Sequence, residues 1–371
     1  MTGIALAARA AALACAVLPL PLASAWAAGD VVAEAKAAVT KFAGPQTAWE
    51  GPTSGPKAEP GKKIVYVSGD ENNDICRLYG VFQKEAGQQI GWDVTIIDGK
   101  GTPTGWIEGV NQALALKPNG VSMCADAASL QEPMRTGAAQ GVVFVGLHAA
   151  ADPGPHPDIH LFANISQDPV AIGKATADWP IADSGGKARV VVITHNEYAI
   201  ANRKSTATKE QIEACPGCKM LEVANFPASA ASDRMPALIT SWVQRYGVPL
   251  YVTSVGDNDF DFAVPSLRGG GVSPNDVKLI GADGNRSAYQ RIRAGGQYQV
   301  VTISEPFEQQ AYQAIDEFNR AFHGEKWSGF VQQPFLVTAA NVNAEGGEKD
   351  MFFPGNGYRE HYLKIWGVAG K

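Results

Sequence analysis

The stretch IVYVSGDENNDICRLYGVFQKEAGQQIGWDVTIID, residues 64–98, has the pattern of a strand, a polar loop, a helix and a second strand. Its two ends are short apolar runs rich in β-branched residues, and its centre is a longer segment of helical composition. Further short apolar runs follow, each separated from the next by a helical stretch: 120–125, 142–147, 188–195, 219–225, 249–255, 277–283 and 298–304. Apolar strands that alternate with helices indicate βαβ units and parallel sheets.

The strands fall into two series, each of roughly 110–130 residues, which is the size of an ordinary α/β domain. We therefore predict an α/β protein made of two doubly wound, parallel-sheet lobes with a cleft between them. The Pro-rich segment 152–169 separates the two series, and we interpret it as the approach to a hinge.

The N-terminus has the pattern of a signal peptide. A single basic residue, Arg9, precedes an apolar run over residues 10–22, and small residues follow around Ala27. We predict a signal peptide over residues 1–27, cleaved near Ala27, and therefore export to the periplasm. Residues 28–61 contain a short helical stretch and a Pro- and Gly-rich segment, which indicate an N-terminal arm or linker.

Charge and motif content exclude several classes of function. The net charge is −6 and there is no Lys/Arg-rich run, which argues against a nucleic acid or an anionic membrane as partner. No segment after the signal peptide is a candidate membrane span, so we expect no direct membrane insertion. We also expect the protein to be a monomer. The chain contains no nucleotide-binding glycine loop, nucleophile elbow or HExxH motif, so we expect no cofactor and no metal.

Four cysteines follow the signal peptide. In an oxidising compartment the CPGC motif predicts a local disulfide between Cys215 and Cys218. A thioredoxin-like redox role is disfavoured, because the motif follows a helical stretch instead of opening one. Cys76 and Cys124 both lie at strand ends of the first series, and the sequence leaves open whether they are bridged.

Ligands of doubly wound sheets bind outside the carboxyl ends of the strands. This rule selects candidate positions in both series before any other consideration. In the first series they are 70–74, 98, 124–126 and 147–148, and in the second 195–198, 225–226, 256–260 and 282–286.

Several of these segments together resemble one family, the type I periplasmic solute-binding proteins of ABC importers, in their ribose-binding-like branch. Residues 64–98 are similar to the family's first strand, polar loop, first helix and second strand. The segment QGVVFVGLHA, residues 140–149, is similar to its fourth strand, and LIGADGNRSAYQRIRAGGQYQVVTISEPFEQQAYQAID, residues 279–316, to its later run. The resemblance covers about residues 62–335, and the same fold in DNA-binding regulators carries an N-terminal helix-turn-helix where this chain has a signal peptide.

The resemblance implies two lobes, joined by three crossings of the chain, that close on a small polar solute. It implies a first lobe of residues 62–167 plus 305–334 and a second of 168–304 plus 335–371, with the C-terminal tail on the second lobe. It also implies these ligand contacts: Asn72, Asp74, Ile75, Asp126, His148, Arg203, Ser205, Asp257, Asn258, Asp259, Phe260, Asp283, Ser304 and Glu305.

The candidate site departs from the sugar-binding pattern of that branch. Asp74 and Ile75 occupy the first-loop positions of stacking aromatics, and Ala282 replaces a Phe. His148 follows Leu147 where the family has an Asp-Arg pair, so the site loses rings and an arginine and keeps its carboxylates. A polyol, a modified sugar or an amine-bearing solute therefore fits at least as well as a plain sugar.

Three functions follow from this pattern. The first is a solute-binding protein that delivers its ligand to an ABC permease and its ATPase. The second is a sensor subunit that presents the ligand to a membrane receptor, which the sequence cannot separate from import. The third is a hydrolase that uses His148 with Asp126, which requires the two side chains to lie within hydrogen-bonding distance.

Overall fold

The computed structural model describes residue 2 and residues 23–368, with side chains from Asp30 onward within the second range. The first helix, α1 (Ala23–Phe42), includes the predicted cleavage site near Ala27 in its first turns, and the remainder of the predicted signal peptide lies outside the described residues. None of the described helices is both long and apolar enough to cross a membrane.

The first lobe is a six-stranded sheet covered by helices. Its strand order is β2-β1-β3-β4-β6-β5, and all neighbouring strands are parallel except β5, which is antiparallel to β6. The elements are β1 (Lys63–Ser68), α2 (Asp74–Gln89), β2 (Asp93–Asp98), α3 (Pro103–Ala115), β3 (Gly120–Met123), α4 (Gln131–Ala139), β4 (Val143–Leu147), β5 (Gly154–His156) and β6 (Leu161–Ile165).

The second lobe repeats this plan. Its strand order is β12-β11-β10-β9-β7-β8, with only β12 antiparallel to its neighbour. The elements are α5 (Pro169–Asp183), β7 (Arg189–Thr194), α6 (Ala199–Glu213), β8 (Lys219–Asn225), α7 (Ala231–Tyr246), β9 (Leu250–Ser254), α8 (Asp259–Gly269), β10 (Val277–Asp283), α9 (Arg286–Ala294), β11 (Gln299–Ser304) and β12 (Phe335–Val337).

Two more helices follow β11: α10 (Phe307–Phe322) and α11 (Tyr358–Trp366). Helix α10 packs against α2 in the first lobe, so the chain crosses between the lobes after β6, after β11 and before β12. The predicted α/β fold with two doubly wound lobes is thereby confirmed.

The segment 152–169 was interpreted as an approach to the hinge, and this interpretation is wrong for most of it. It contains β5 and β6, which form the outer edge of the first sheet, and the crossing begins only at Ser166. The Pro-rich sequence and the left-handed backbone of Gly154 (φ 105°) and His160 (φ 58°) break the alternating pattern by which strands are recognised.

Both pairs of cysteines form disulfides. The predicted bond between Cys215 and Cys218 is present, with the two Cα atoms 5.3 Å apart. Cys76 and Cys124, which the sequence left open, are also bonded, with a Cα separation of 5.5 Å. This second disulfide joins the start of α2 to the end of β3 at the carboxyl edge of the first sheet.

The tail packs on the first lobe, and the expectation that it packs on the second is wrong for α11. Tyr362 and Trp366 belong to the same buried cluster as Tyr79 on α2 and Phe318 on α10. The apolar face of α11 matches the outer face of α10, which the first sheet leaves uncovered. Only the preceding part of the tail, including Val342 and Phe352, is buried in the second lobe.

The N-terminal arm spans both lobes. Helix α1 packs against α5 of the second lobe, where Ala35 is buried beside Ile172. The arm then reaches the first lobe, where the Ala58 amide donates to the Trp366 carbonyl at 3.1 Å and the Trp49 ring stacks on His361 at 4.8 Å. Within residues 23–368 the chain therefore crosses between the lobes twice more, once in the arm and once in the tail, in addition to the three crossings described above.

Candidate functional site

A cavity lies between the carboxyl edges of the two sheets. It has a volume of about 110 Å³ and opens into a wider outer cleft of about 760 Å³, with which it shares Asn73, Tyr198, Ala228 and Asn258. The inner cavity is lined by residues of both lobes: Asn73, Ile75, Cys76, Cys124, His148, His195, Tyr198, Ile200, Ala201, Lys204, Ala228, Val255, Gly256, Asn258, Asp259 and Asp283.

The ammonium group of Lys204 lies at one end of the cavity between two carboxylates. Its Nζ is 3.1 Å from Asp283 Oδ1 and 3.5 Å from Glu305 Oε1. Burial alone would lower the pKa of Lys204, but the charges of Asp283 and Glu305 outweigh it and raise that pKa above its usual value. Lys204 is therefore a permanent cation at this end of the cavity.

His148 completes this polar end of the cavity. Its Nε2 lies 3.4 Å from Glu305 Oε1 and 3.3 Å from the Tyr79 hydroxyl, while Gln310 Nε2 donates to Glu305 Oε2 at 2.9 Å. Burial would raise the pKa of Glu305, but His148 and Lys204 lower it to about 2, so the side chain stays anionic. We call Asp283, Lys204, His148 and Glu305 the polar end.

The polar end also has the geometry of a metal site. Ligand atoms of His148, Asp283 and Glu305 lie within 4.8 Å of one another. However, Lys204 already contacts both carboxylates, and a divalent cation would have to displace that buried charge.

Two residues of the polar end have a left-handed backbone. The φ angles are 58° at His148 and 88° at Asp283, and both residues directly end or follow a strand. Such angles are unfavourable for residues other than glycine, and they persist where the surrounding structure imposes them. Here they turn the two side chains from the strand ends into the cavity.

A second ion pair lines the opposite wall. His195 Nδ1 donates to the Phe226 carbonyl at 2.8 Å, and its Nε2 lies 3.3 Å from Asp259 Oδ2, which also accepts from the Ser254 hydroxyl at 2.5 Å. Burial would lower the pKa of His195, but the Asp259 carboxylate and the Phe226 carbonyl raise it to about 9. His195 is therefore an imidazolium ion at neutral pH.

This pairing makes stability depend on pH. Because the pKa of His195 is raised from 6.5 to about 9 on folding, its contribution is complete below pH 6.5 and is lost as the pH rises through 9. The shift corresponds to about 3 kcal/mol. We expect His195→Gln to lack this contribution, so its free energy of unfolding should decline less between pH 6 and 10 than that of the wild type. Urea unfolding of both proteins measures the difference. Equal declines would contradict the pairing.

The first-loop residues divide between the inner cavity and the outer cleft. Ile75 lines the inner cavity, as its proposed role requires. Asn72 and Asp74 line only the outer cleft, where Asp74 pairs with Arg77 at 2.7 Å. Asn73, which was not among the expected ligand contacts, lines both the inner cavity and the outer cleft, and its side chain also caps α2.

Nine of the fourteen expected contacts lie outside the inner-cavity lining, among them Glu305, which contacts the lining residues Lys204 and His148 from behind. Four of the nine are buried within the second lobe. Asp257 is fully buried and accepts hydrogen bonds from the Gly284 and Asn285 amides at 2.9 and 3.0 Å, and burial raises its pKa to about 7. It therefore holds the loop after Asp283 instead of facing a ligand. The other three are buried in the second lobe, each with partners in the interior: Phe260, Ser205 and Ser304.

Two expected contacts join the lobes directly. Asp126 Oδ2 accepts from the Ala199 amide at the start of α6 at 2.8 Å, and Arg203 pairs with Asp152 at 3.1 Å. These contacts across the cleft define a closed conformation. They also separate Asp126 from His148, which pairs with Glu305, so the His–Asp pair required by the hydrolase hypothesis is not formed.

The lining residues that were not among the expected contacts include His195, Tyr198, Ile200 and Lys204. Lys204 lies between the predicted Arg203 and Ser205, and it is the side chain of that segment which enters the cavity. His195 and Tyr198 lie within a strand-end segment that the topology rule had selected.

Two lobes that close on a cavity at their strand ends define a binding protein of the hinged, two-lobed class. The chain matches the periplasmic binding protein domain family over residues 64–326 and belongs to that family. No curated protein sequence matches it significantly.

Solved structures of the same fold share little sequence with this chain. The Caulobacter myo-inositol binding protein bound to myo-inositol is 20% identical, with 76% of this chain and 94% of that chain covered and a TM-score of 0.66. An ABC transporter solute-binding protein from Agrobacterium vitis bound with α-D-tagatopyranose is 14% identical (79% and 99% covered, TM-score 0.70). Another from that organism, with bound allitol, is 16% identical (77% and 98%, TM-score 0.68).

Proposed function

We propose that this protein is the periplasmic solute-binding component of an ABC importer. It captures a small polar solute of the sugar, polyol or modified-sugar class by closure of its two lobes, and delivers it to a membrane permease coupled to an ATPase. It acts as a monomer and does not turn its ligand over.

The observation that carries the proposal is the interlobe cavity at the strand ends of both sheets, with Asp283 and Lys204 facing it. A carboxylate accepts hydrogen bonds from hydroxyl groups and an ammonium group donates to them, so the pair suits a ligand that carries hydroxyls. The family match and the solutes bound by structural neighbours support the same class of ligand.

The direct test is a thermal-shift and calorimetry screen of the mature protein against pentoses, hexoses, inositols, linear polyols and amines. We expect at least one hydroxylated solute to raise the melting temperature in a concentration-dependent way. Stabilisation by none of them would contradict the proposal, and chemical conversion of a bound solute would contradict its non-catalytic part.

Closure itself can be tested at Asp126, which accepts the Ala128 amide at 3.0 Å through Oδ1 and the Ala199 amide through Oδ2. Asparagine has one acceptor oxygen, so Asp126→Asn leaves one of these two amides unpaired. We expect the tightest-binding solute of the screen to lose about tenfold in affinity, through faster dissociation, because the closed state is weakened.

Stopped-flow dissociation measures this effect. The matched control is Asp98→Asn, since Asp98 accepts from the Lys100 amide at 2.9 Å within the first lobe alone. A dissociation rate that is the same in the Asp126 variant and the wild type would show that this contact does not hold the cleft closed.

A further inference from the structure

The inner cavity combines the polar end and the His195–Asp259 pair with an apolar patch formed by Ile75, Ile200 and Val255. We propose that it binds a short, neutral aliphatic diol, with the hydroxyl groups on Asp283 and Lys204 and the hydrocarbon against Ile75, Ile200 and Val255. This inference rests on the proposed function and narrows its ligand to the smallest members of the polyol class.

The size of the cavity sets the first limit. An apolar cavity of about 150 Å³ holds benzene, so a cavity of 110 Å³ accommodates about four to five non-hydrogen atoms. 1,2-Propanediol has five such atoms. A pentose has twice that number, so its ring would have to extend into the outer cleft or hold the lobes apart.

The walls set the second limit. Ile75, Ile200 and Val255 face the cavity together with the disulfide between Cys76 and Cys124. These groups offer no strong hydrogen-bonding partner to a hydroxyl group, so a hydroxyl buried against them without a partner weakens binding. A sugar or inositol carries hydroxyl groups around its whole ring, whereas a short diol can present a methyl group to this wall.

Charge balance sets the third limit. Lys204 pairs with Asp283 and Glu305, Glu305 also contacts His148, and His195 pairs with Asp259. The one buried ammonium group is thus shared between two carboxylates, and the His195 imidazolium is taken by Asp259. No cation of the described lining is left to pair with an anionic ligand, which disfavours carboxylates relative to a neutral alcohol.

The test is isothermal titration of the full mature protein with 1,2-propanediol, glycerol, D-ribose and myo-inositol. We expect 1,2-propanediol to bind about 10- to 100-fold more tightly than glycerol, because an apolar pocket discriminates against one added hydroxyl by this factor. We expect the two rings to bind more weakly still.

Tighter binding of glycerol, ribose or myo-inositol than of 1,2-propanediol would overturn the inference and leave the proposed function standing. Binding of none of the four would also overturn it. The proposed function itself fails only if the broader screen of sugars, polyols and amines finds no ligand.

The apolar wall can be tested separately with Val255→Thr, which is nearly isosteric and adds one hydroxyl to the wall. We expect the ratio of 1,2-propanediol to glycerol affinity to fall about tenfold. The control is Val223→Thr, because Val223 on β8 is 42% exposed and outside the cavity lining. An unchanged ratio in a Val255 variant whose melting temperature matches the control would overturn the assignment of this wall.

Discussion

Replacing Asp283 by asparagine is expected to lower solute affinity about 100-fold, the largest effect of any single change in the cavity. Asp283 Oδ1 is the closest partner of the buried Lys204 ammonium, at 3.1 Å. Removing one member of a buried, hydrogen-bonded charge pair costs about 2–5 kcal/mol in binding, much of it from the charge left unpaired. The variant loses one of the two acceptor oxygens available to ligand hydroxyls and the negative charge that pairs with Lys204.

Asparagine is the informative substitution here because the backbone of Asp283 is left-handed, with φ 88°. Asparagine accepts this region far more readily than alanine does, so the side-chain charge is removed without added backbone strain. Calorimetry with the tightest-binding solute of the screen measures the loss. The matched control is Asp276→Asn, which lies just before the opposite end of β10. Wild-type affinity in the Asp283 variant would exclude the polar end as the binding site.

Most of the fold could be predicted because its strands alternate with helices at a regular spacing. The interior strands β1, β3, β7, β9 and β10 are short apolar runs, and parallel sheets bury such runs on both faces. Three strands escaped prediction: the edge strands β5 and β12, and β6, which lies between β4 and β5. β5 and β12 have only three residues each, and β5 and β6 lie in a Pro-rich segment. None of the three strands therefore shows the sequence pattern of a buried strand.

The site was predictable at the level of loops and much less so at the level of side chains. The strand-end rule selected 256–260, but only part of this segment faces the cavity. Asn258 and Asp259 line it, whereas Asp257 and Phe260 are buried in the lobe. All four belong to the first turn of α8 or precede it, and successive helical residues point in directions about 100° apart. Composition alone does not show which of three consecutive polar residues, Asp257, Asn258 and Asp259, point into the cavity.

Buried charge was the other feature that sequence reasoning could not assign. Lys204 lies in the run NRKST, which has the composition of a solvated helix surface, yet the side chain is 4% exposed. Its burial depends on Glu305, which is 101 positions away in the chain. Glu305 lies directly after β11, where the chain crosses to the first lobe beside Lys204. Pairing across lobes of this kind leaves no local signal in either segment.

The loss of stacking aromatics, in contrast, was visible in the sequence. Ile75 occupies the position where the resemblance leads us to expect a ring, and in the structure it faces the inner cavity beside the disulfide of Cys76. The one aromatic side chain in the described lining besides the histidines is Tyr198, which is shared with the outer cleft and packs on Trp106 at 5.3 Å. The departure from a sugar-stacking pattern therefore holds in three dimensions.

The tail helix gives the largest expected effect on stability. Trp366 is 1% exposed, its ring stacks on Tyr312 at 5.8 Å, and its indole nitrogen donates to Asp316 Oδ1 at 2.9 Å. We expect Trp366→Ala to lower the free energy of unfolding by about 3–5 kcal/mol, since it leaves a cavity in the first-lobe core. The same change removes a donor from the buried carboxylate of Asp316 and leaves Arg320 as its remaining partner.

Urea unfolding measures this loss, and Lys364→Ala, an exposed position on the same helix, is the control, expected to change stability by no more than about 0.5 kcal/mol. Because Trp366 does not line the cavity, solute affinity of the folded variant should equal that of the wild type. The Trp366 carbonyl also accepts the Ala58 amide of the arm, so loss of this helix should expose the arm to proteolysis. A cost below about 1 kcal/mol would mean that the tail is an accessory to the first lobe instead of part of its core.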